Sequence, residues 1–172
     1  MLKIAGMLLD QALFTELLDA AAQSPRRRAF RNLHKDFAEP VQRVVIAIQP
    51  DSYVPPHQHV DAHQWELFVM LAGSVDFLQF DDSGRLTTRQ TLSAGSVHTG
   101  VELAPGHWHS IVAAAPGAVF LEVKQGPFDP AQPRHFAAFA PPEQDGRAGR
   151  YLSWLRTANA GEMSPDWQEM TR

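Results

Sequence analysis

The segment Pro55-Pro56-His57-Gln58-His59-Val60-Asp61-Ala62-His63-Gln64-Trp65-Glu66 gathers three imidazoles and two carboxylates, and Pro105-Gly106-His107-Trp108-His109 follows about forty residues later. Side chains alternate along an extended segment, so His57 and His59, one residue apart, project from the same face. Glu66 after a short loop and His109 from a distant strand complete a mixed nitrogen and oxygen ligand set for one divalent metal. Read as polar strand residues at a surface, the four would have no reason to share this spacing. Glu66 has a second role open to it, a hydrogen bond to a ligating imidazole. His63 is its rival as a ligand, although a loop position favours solvent. His98 and His107 sit near turns and read as surface or hydrogen-bonded residues. Three histidines and one glutamate leave one or two positions open on a five- or six-coordinate ion, which suits a reactive centre better than a closed structural one. Imidazole with carboxylate suits Fe(II), Mn, Ni, Zn or Co.

The elements that must hold these residues are short. Val41 to Ile48, Trp65 to Ala72, Ser74 to Phe80, Leu86 to Leu92, His109 to Ala114 and Val119 to Val123 are runs rich in Val, Ile, Leu and Phe. Between them lie Pro50-Asp51-Ser52, Asp81-Asp82-Ser83-Gly84, Ala94-Gly95 and Ala115-Pro116-Gly117, all turn chemistries. This rhythm predicts an all-β sandwich or barrel. Ahead of it, Leu13, Phe14, Leu17, Leu18 and Ala21 recur at helical spacing over residues 10–23, with Asp10 as N-cap and Ser24-Pro25 as the stop. Arg147 to Arg156 predicts a short helix carrying Tyr151, Leu152, Trp154 and Leu155. One domain is expected over residues 1–156, and residues 157–172, with little periodicity, as a poorly ordered tail. If Glu66 faces the metal, Phe68 and Met70 face inward with it, and Trp65, Leu67, Val69 and Leu71 face outward. A strand apolar on both faces needs cover on both. The N-terminal helix, a second protomer in a homodimer, or both would supply it.

The chain has 172 residues, enough for one domain with its own core. It contains no cysteine, which excludes disulfides and zinc-thiolate sites. A net charge of −4 gives no general electrostatic reason to bind nucleic acid. No run reaches membrane-spanning length and no secretory cleavage pattern follows the first residues, so a cytoplasmic protein without a membrane partner is expected.

These residues resemble the cupin superfamily, whose first motif has the form G-x5-H-x-H-x3,4-E-x6-G and whose second ends P-x-G-x2-H-x3-N. His57, His59, Glu66 and Gly73 match the first, and Ala104-Pro105-Gly106 followed by His109 matches the second with the proline shifted by one. The departures are Asp51 for the usual glycine, six residues between His59 and Glu66, and Ala113 in place of asparagine. Ser24-Pro25-Arg26-Arg27-Arg28, Asn32-Leu33-His34, Pro40-Val41-Gln42-Arg43, the stretch from Val54 to His59, Trp65 to Val69 and Leu121 to Pro130 together look like the WbuC-type cupin-fold metalloproteins. That likeness runs from about residue 8 to about residue 155. It implies a double-stranded β-helix, a jelly-roll-like barrel, preceded by one helix. Members of that family occur in bacteria, some encoded among O-antigen polysaccharide genes, and the family has no established activity. The resemblance thus implies a link to bacterial surface-polysaccharide metabolism without naming a reaction.

Arg26, Arg27, Arg28, Arg31 and Lys35 form a basic cluster after the helix. One reading is a helix C-terminus whose partial negative charge favours cations. The other is that Arg28, Arg31 and His34 reach the barrel mouth and grip a carboxylate or phosphate. Tyr53 is a further candidate for the pocket, and Lys124 points either into the barrel or out to water. Two functions fit. One is a metal-dependent isomerase, hydrolase or dioxygenase acting on a small anionic, oxygen-rich metabolite such as a sugar acid or nucleotide sugar. The other is a non-catalytic module that binds such a ligand through the metal. A metal-free epimerase fits less well, because it needs a tyrosine acid in the pocket and only Tyr53 and Tyr151 are on offer.

Overall fold

The computed structural model describes residues 6–61, 63–129 and 135–165. Helix α1, Gln11–Gln23, begins where the Asp10 carboxylate accepts from the Leu13 amide at 3.0 Å. It ends at Ser24, whose amide donates to the carbonyls of Ala20 and Ala21. Ten strands follow: β1 Arg28–Asn32, β2 Val41–Ile48, β3 His57–Gln58, β4 Glu66–Ala72, β5 Ser74–Phe80, β6 Leu86–Ser93, β7 Gly100–Leu103, β8 Trp108–Ala113, β9 Ala118–Gln125 and β10 His135–Phe136. Helix α2, Ala148–Thr157, closes the described order. The six strands expected from apolar runs are present, two with the expected bounds and four with ends shifted by one or two residues. Strands β1, β3, β7 and β10 have too few apolar residues to show a period.

All pairings are antiparallel and make two five-stranded sheets, ordered β1-β2-β9-β4-β7 and β10-β3-β8-β5-β6. The sheets face each other, and among the described residues no hydrogen-bonded ladder closes them into a barrel. Strand alternation then sorts the side chains. Ile46, Ile48, Phe68, Met70 and Phe120 from the first sheet meet Val75, Phe77, Leu92 and Ile111 from the second. The outer face of the first sheet, Val45, Ala47 and Val119, is buried by Leu13, Phe14, Leu17 and Ala21 of α1. The outer face of the second, Leu78, Phe80 and Val112, is buried by Tyr151, Leu152 and Leu155 of α2.

Strand β4 is indeed apolar on both faces. Leu71 packs against the α1 layer, while Leu67 and Val69 on the same face stay half-buried. Helix cover is therefore partial. The poorly ordered tail expected from residue 157 does not fit residues 158 to 164. Ala158 and Ser164 are buried, Met163 bridges to Arg85, and the Leu86 amide donates to the Glu162 carbonyl at 2.9 Å. This stretch adds a ragged edge to β6, a backbone pairing that leaves no side-chain period. Residues 166–172 lie outside the described residues. No helix among the described residues is long and apolar enough to cross a membrane.

Gly73 makes the turn from β4 to β5 at φ +69°, and a Cβ there would lie 2.3 Å from the Gly117 carbonyl oxygen. Both the backbone region and the contact demand glycine. Gly73→Ala should destabilise the fold by roughly 1–3 kcal/mol from backbone strain alone. The expected signature is a lower urea midpoint at unchanged slope; a parental midpoint would show that the turn relaxes freely.

Candidate metal centre

Alternation brings three strands together at one end of the interior. Glu66 opens β4 and faces inward with Phe68 and Met70; His109 lies on β8 with Ile111; His57 on β3 pairs directly with His109 across the ladder. His57, Glu66 and His109 are all buried, at 6, 2 and 2% exposure, and offer ligand atoms within 4.8 Å of one another. His59 adjoins this group through Glu66, its Nε2 lying 3.0 Å from Oε1. His109 Nε2 lies 3.1 Å from Glu66 Oε2.

Backbone carbonyls fix the rings. His57 Nδ1–H donates to the Pro55 carbonyl at 3.0 Å, and His109 Nδ1–H to the His107 carbonyl at 3.0 Å. That leaves the Nε2 of His109 as an acceptor aimed at the carboxylate, the tautomer that suits metal ligation. Two acceptors facing each other cannot share a hydrogen bond. Consistently, the Nε2 atoms of His59 and His109 and Oε2 of Glu66 are buried without a hydrogen bond of acceptable geometry. Buried polar groups left unpaired in this way are rare, and an ion is one of the few things that satisfies several at once. Burial pushes the Glu66 carboxyl up, and hydrogen bonds and charge from His109 and His59 outweigh it only when their Nε2 atoms are protonated, holding the group well below the ordinary carboxylate range; a bound ion would take the place of those protons. The residues present fit a divalent ion held by nitrogen and oxygen.

A cavity of about 310 Å³ opens from this centre. His57 and His109 line one part of it, Arg26 and Arg28 another, and Phe30, Phe68, Phe120, Phe128 and Phe136 contribute walls. Glu122 also lines it, two residues from Lys124 on the inward face of β9. Lys124 Nζ lies 3.0 Å from Glu122 Oε1, 3.9 Å from Glu66 Oε1 and 5.2 Å from the Phe128 ring centroid. The Lys124 side chain therefore points into the interior.

The other expected residues divide. Arg28 is buried and lines the cavity, donating to the Tyr53 carbonyl at 2.8 Å and pairing with Glu143. Arg31 alternates to the opposite face of β1 and pairs with Glu16 of α1 at 2.6 Å, so it does not reach the cavity. His34 lies beside the Arg43 backbone, Nδ1 2.9 Å from its carbonyl, with its ring tilted against Phe37 outside the cavity lining. The Tyr53 hydroxyl donates to the Pro141 carbonyl at 2.9 Å, and its ring packs on Tyr151 in the α2 core. Burial pushes that phenol up, so it stays protonated. His63, His98 and His107 are exposed. The helix C-terminus reading holds for Arg27, whose guanidinium donates to the Ala22 carbonyl in the last turn of α1, and not for Arg28, which begins a strand. Glu122 and Glu143 carry no mark of their own in the sequence, and Arg26 stands out there only as part of the basic cluster. The one signal for Glu122 is parity, since a strand that buries Phe120 must turn residues 122 and 124 the same way.

A domain of unknown function (DUF6016) matches residues 9–92. No curated protein matches the chain. Among solved structures, the capsular polysaccharide assembling protein CapF from Staphylococcus aureus is similar with a TM-score of 0.53 and 20% identity, over 63% of this chain and 29% of that one. A mutant oxalate decarboxylase from Bacillus subtilis is similar with a TM-score of 0.49 and 21% identity, over 78% and 36%. A cupin superfamily protein from Desulfitobacterium hafniense has a TM-score of 0.45 and 12% identity, over 57% and 76%. The chain thus spans about a third of the first two. The fold is that of the cupins.

Glu122 and Lys124 form a nearly buried pair, with side chains 8 and 13% exposed. Removing one partner of such a pair strands the other charge and costs about 3–5 kcal/mol. Lys124→Met should fall in that range, and Glu122→Gln with Lys124→Met should recover much of the loss. Additive losses in thermal melts of the two singles and the double would show that the pair is not coupled.

Proposed function

We propose that this chain binds one divalent metal through His57, His59, Glu66 and His109 and uses it to bind, and act on, a small anionic metabolite. The observation that carries the proposal is the buried carboxylate meeting unpaired Nε2 atoms at the inner end of a cavity with two arginines in its lining. Fe, Mn, Ni, Zn and Co all suit the donor set. When bound, such an ion supplies Lewis acidity toward a carboxylate, carbonyl or vicinal oxygens. The chain's own residues do the rest. Pro55 and His107 carbonyls hold the imidazole tautomers, the phenylalanine walls exclude water, and Arg28 adds a fixed positive charge. Isomerisation, hydrolysis and oxygenation remain the reaction classes for this arrangement.

A second reading, a non-catalytic binding module, draws support from the hydroxyls beside the cavity. Ser110 Oγ donates to the Val54 carbonyl at 2.7 Å and Tyr53 donates to Pro141, so both are committed to backbone. Neither is placed to move a substrate proton. The same fact disfavours the metal-free epimerase chemistry. The WbuC-type kinship, the cytoplasmic setting and the link to bacterial surface polysaccharide rest on the motif resemblance and belong to this proposal. So does a homodimer, which the half-buried Leu67 and Val69 support.

Purified protein should carry metal near one equivalent by mass spectrometry, and the His57→Ala, His59→Ala double variant should carry none. Stoichiometric metal in that variant would remove the proposed ligand set. Calorimetry against a panel of small acids (keto acids, aryl acids, sugar acids and nucleotide sugars) should show at least one that binds metal-loaded protein and loses that binding on stripping; equal affinity in both forms would end the metal-dependent reading. Light scattering at micromolar concentration should give the dimer mass, whereas a monomer would leave Leu67 and Val69 without a partner.

A further inference from the structure

We propose that Arg26 and Arg28 form a carboxylate subsite in the metal-bearing cavity, that Glu143 fills it as an internal competitor, and that the ligand is a compact acid with a ring-sized apolar body. This deepens the metal-dependent reading above and rests on it.

Arg26 and Arg28 stand one residue apart, and both line the cavity that also contains His57 and His109. Glu143 arrives from the segment before α2 and takes both. Arg26 Nε lies 3.1 Å from each of its oxygens and Nη2 2.9 Å from Oε2, while Arg28 Nη2 pairs with Oε1. Arg28 is aligned for this from behind, because its Nη1 is held by the Tyr53 carbonyl. Two forks converging on one carboxylate are a receptor for that group, and arginine suits it by shape as well as charge. Glu143 keeps 19% side-chain exposure and Arg26 56%, so the pair can open toward water without unpacking the core.

Exchanging one carboxylate for another on the same arginines is close to neutral in free energy. Glu143 is tethered, however, and acts at a high effective concentration. A ligand acid can displace it only when the rest of the molecule adds affinity, and the cavity walls say what that remainder is. Phe30, Phe68, Phe120, Phe128 and Phe136 surround it, against which a polyol would leave hydroxyls unpaired. The carboxylate among the walls, Glu122, is already paired with Lys124. Aromatic or alkyl acids with an oxygen donor at the far end fit; polyhydroxylated acids do not. Glu143 then serves as a filter that disfavours weakly matched anions.

The test uses full-length protein loaded with zinc and calorimetry with three probes: 4-hydroxyphenylacetate, the matching alcohol 4-hydroxyphenethyl alcohol, and gluconate. Glu143→Gln should tighten the aryl acid about tenfold or more and leave the alcohol unchanged, because only the acid competes with Glu143. Arg26→Gln, at a largely exposed position, should weaken the aryl acid about tenfold and again spare the alcohol. Unchanged or weaker acid binding in folded Glu143→Gln, or unchanged acid binding in Arg26→Gln, overturns the subsite. Gluconate binding tighter than the aryl acid overturns the ligand class. If both acids bind zinc-dependently but ignore Glu143, the subsite alone falls; if neither binds better with zinc than without, the metal reading falls and the subsite with it.

Discussion

A carboxylate at 2% exposure is an expensive thing to bury, and the interior of this protein is arranged around making Glu66 tolerable. An isolated charge in an apolar core costs several kcal/mol even after relaxation, so its neighbours must come from whatever elements can reach it. Glu66 belongs to one sheet; His57 and His109 belong to the other. The polar contact therefore joins the sheets face to face at a place where no ladder does. Register carries the consequence along each strand. Moving from Glu66 to Met70 on β4, from His109 to Ala113 on β8 and from Lys124 back to Ala118 on β9, the interior passes from polar to wholly apolar. One end of the sandwich is a site and the other is a core, and the same alternation makes both.

That alternation is also what the sequence exposes most readily. Spacing put His57 and His59 on one face, the ligand chemistry and the motif resemblance added Glu66 and His109, and β2, β4, β5 and β8 announce themselves by apolar runs. Strand β1 did not, because Arg28 and Arg31 bracket Ala29 and Phe30 and read as a basic patch. Missing the strand meant missing its parity, and parity is what sends Arg28 into the cavity and Arg31 to Glu16 of α1. Two-residue strands such as β3 and β10 fall below any periodicity. Glu143 lies 115 residues from Arg28 and in a proline-rich stretch, so nothing local marks it as a partner. Tyr53 shows the converse: a residue type suited to chemistry whose hydroxyl the fold spends on a backbone carbonyl.

The charges around the cavity show how the parts depend on one another. Arg26, Arg28 and Lys124 face Glu66, Glu122 and Glu143, so these side chains balance while the ligand imidazoles are neutral. Fixed side chains alone thus give an anion little net attraction. A divalent ion on His57, His59, Glu66 and His109 would tip the balance to positive in a site where apolar walls keep the dielectric low. Attraction for an anion and retention of the ion then become two sides of one coupling free energy. By linkage, an anion that binds more tightly when the ion is present must also hold the ion more tightly, by the same factor. The acidic chain as a whole is no obstacle, because charges beyond a Debye length of about 10 Å are screened while those lining the cavity are not. The selectivity of this protein is consequently a property of the balance among six side chains and one ion, and shifting any one of them shifts it.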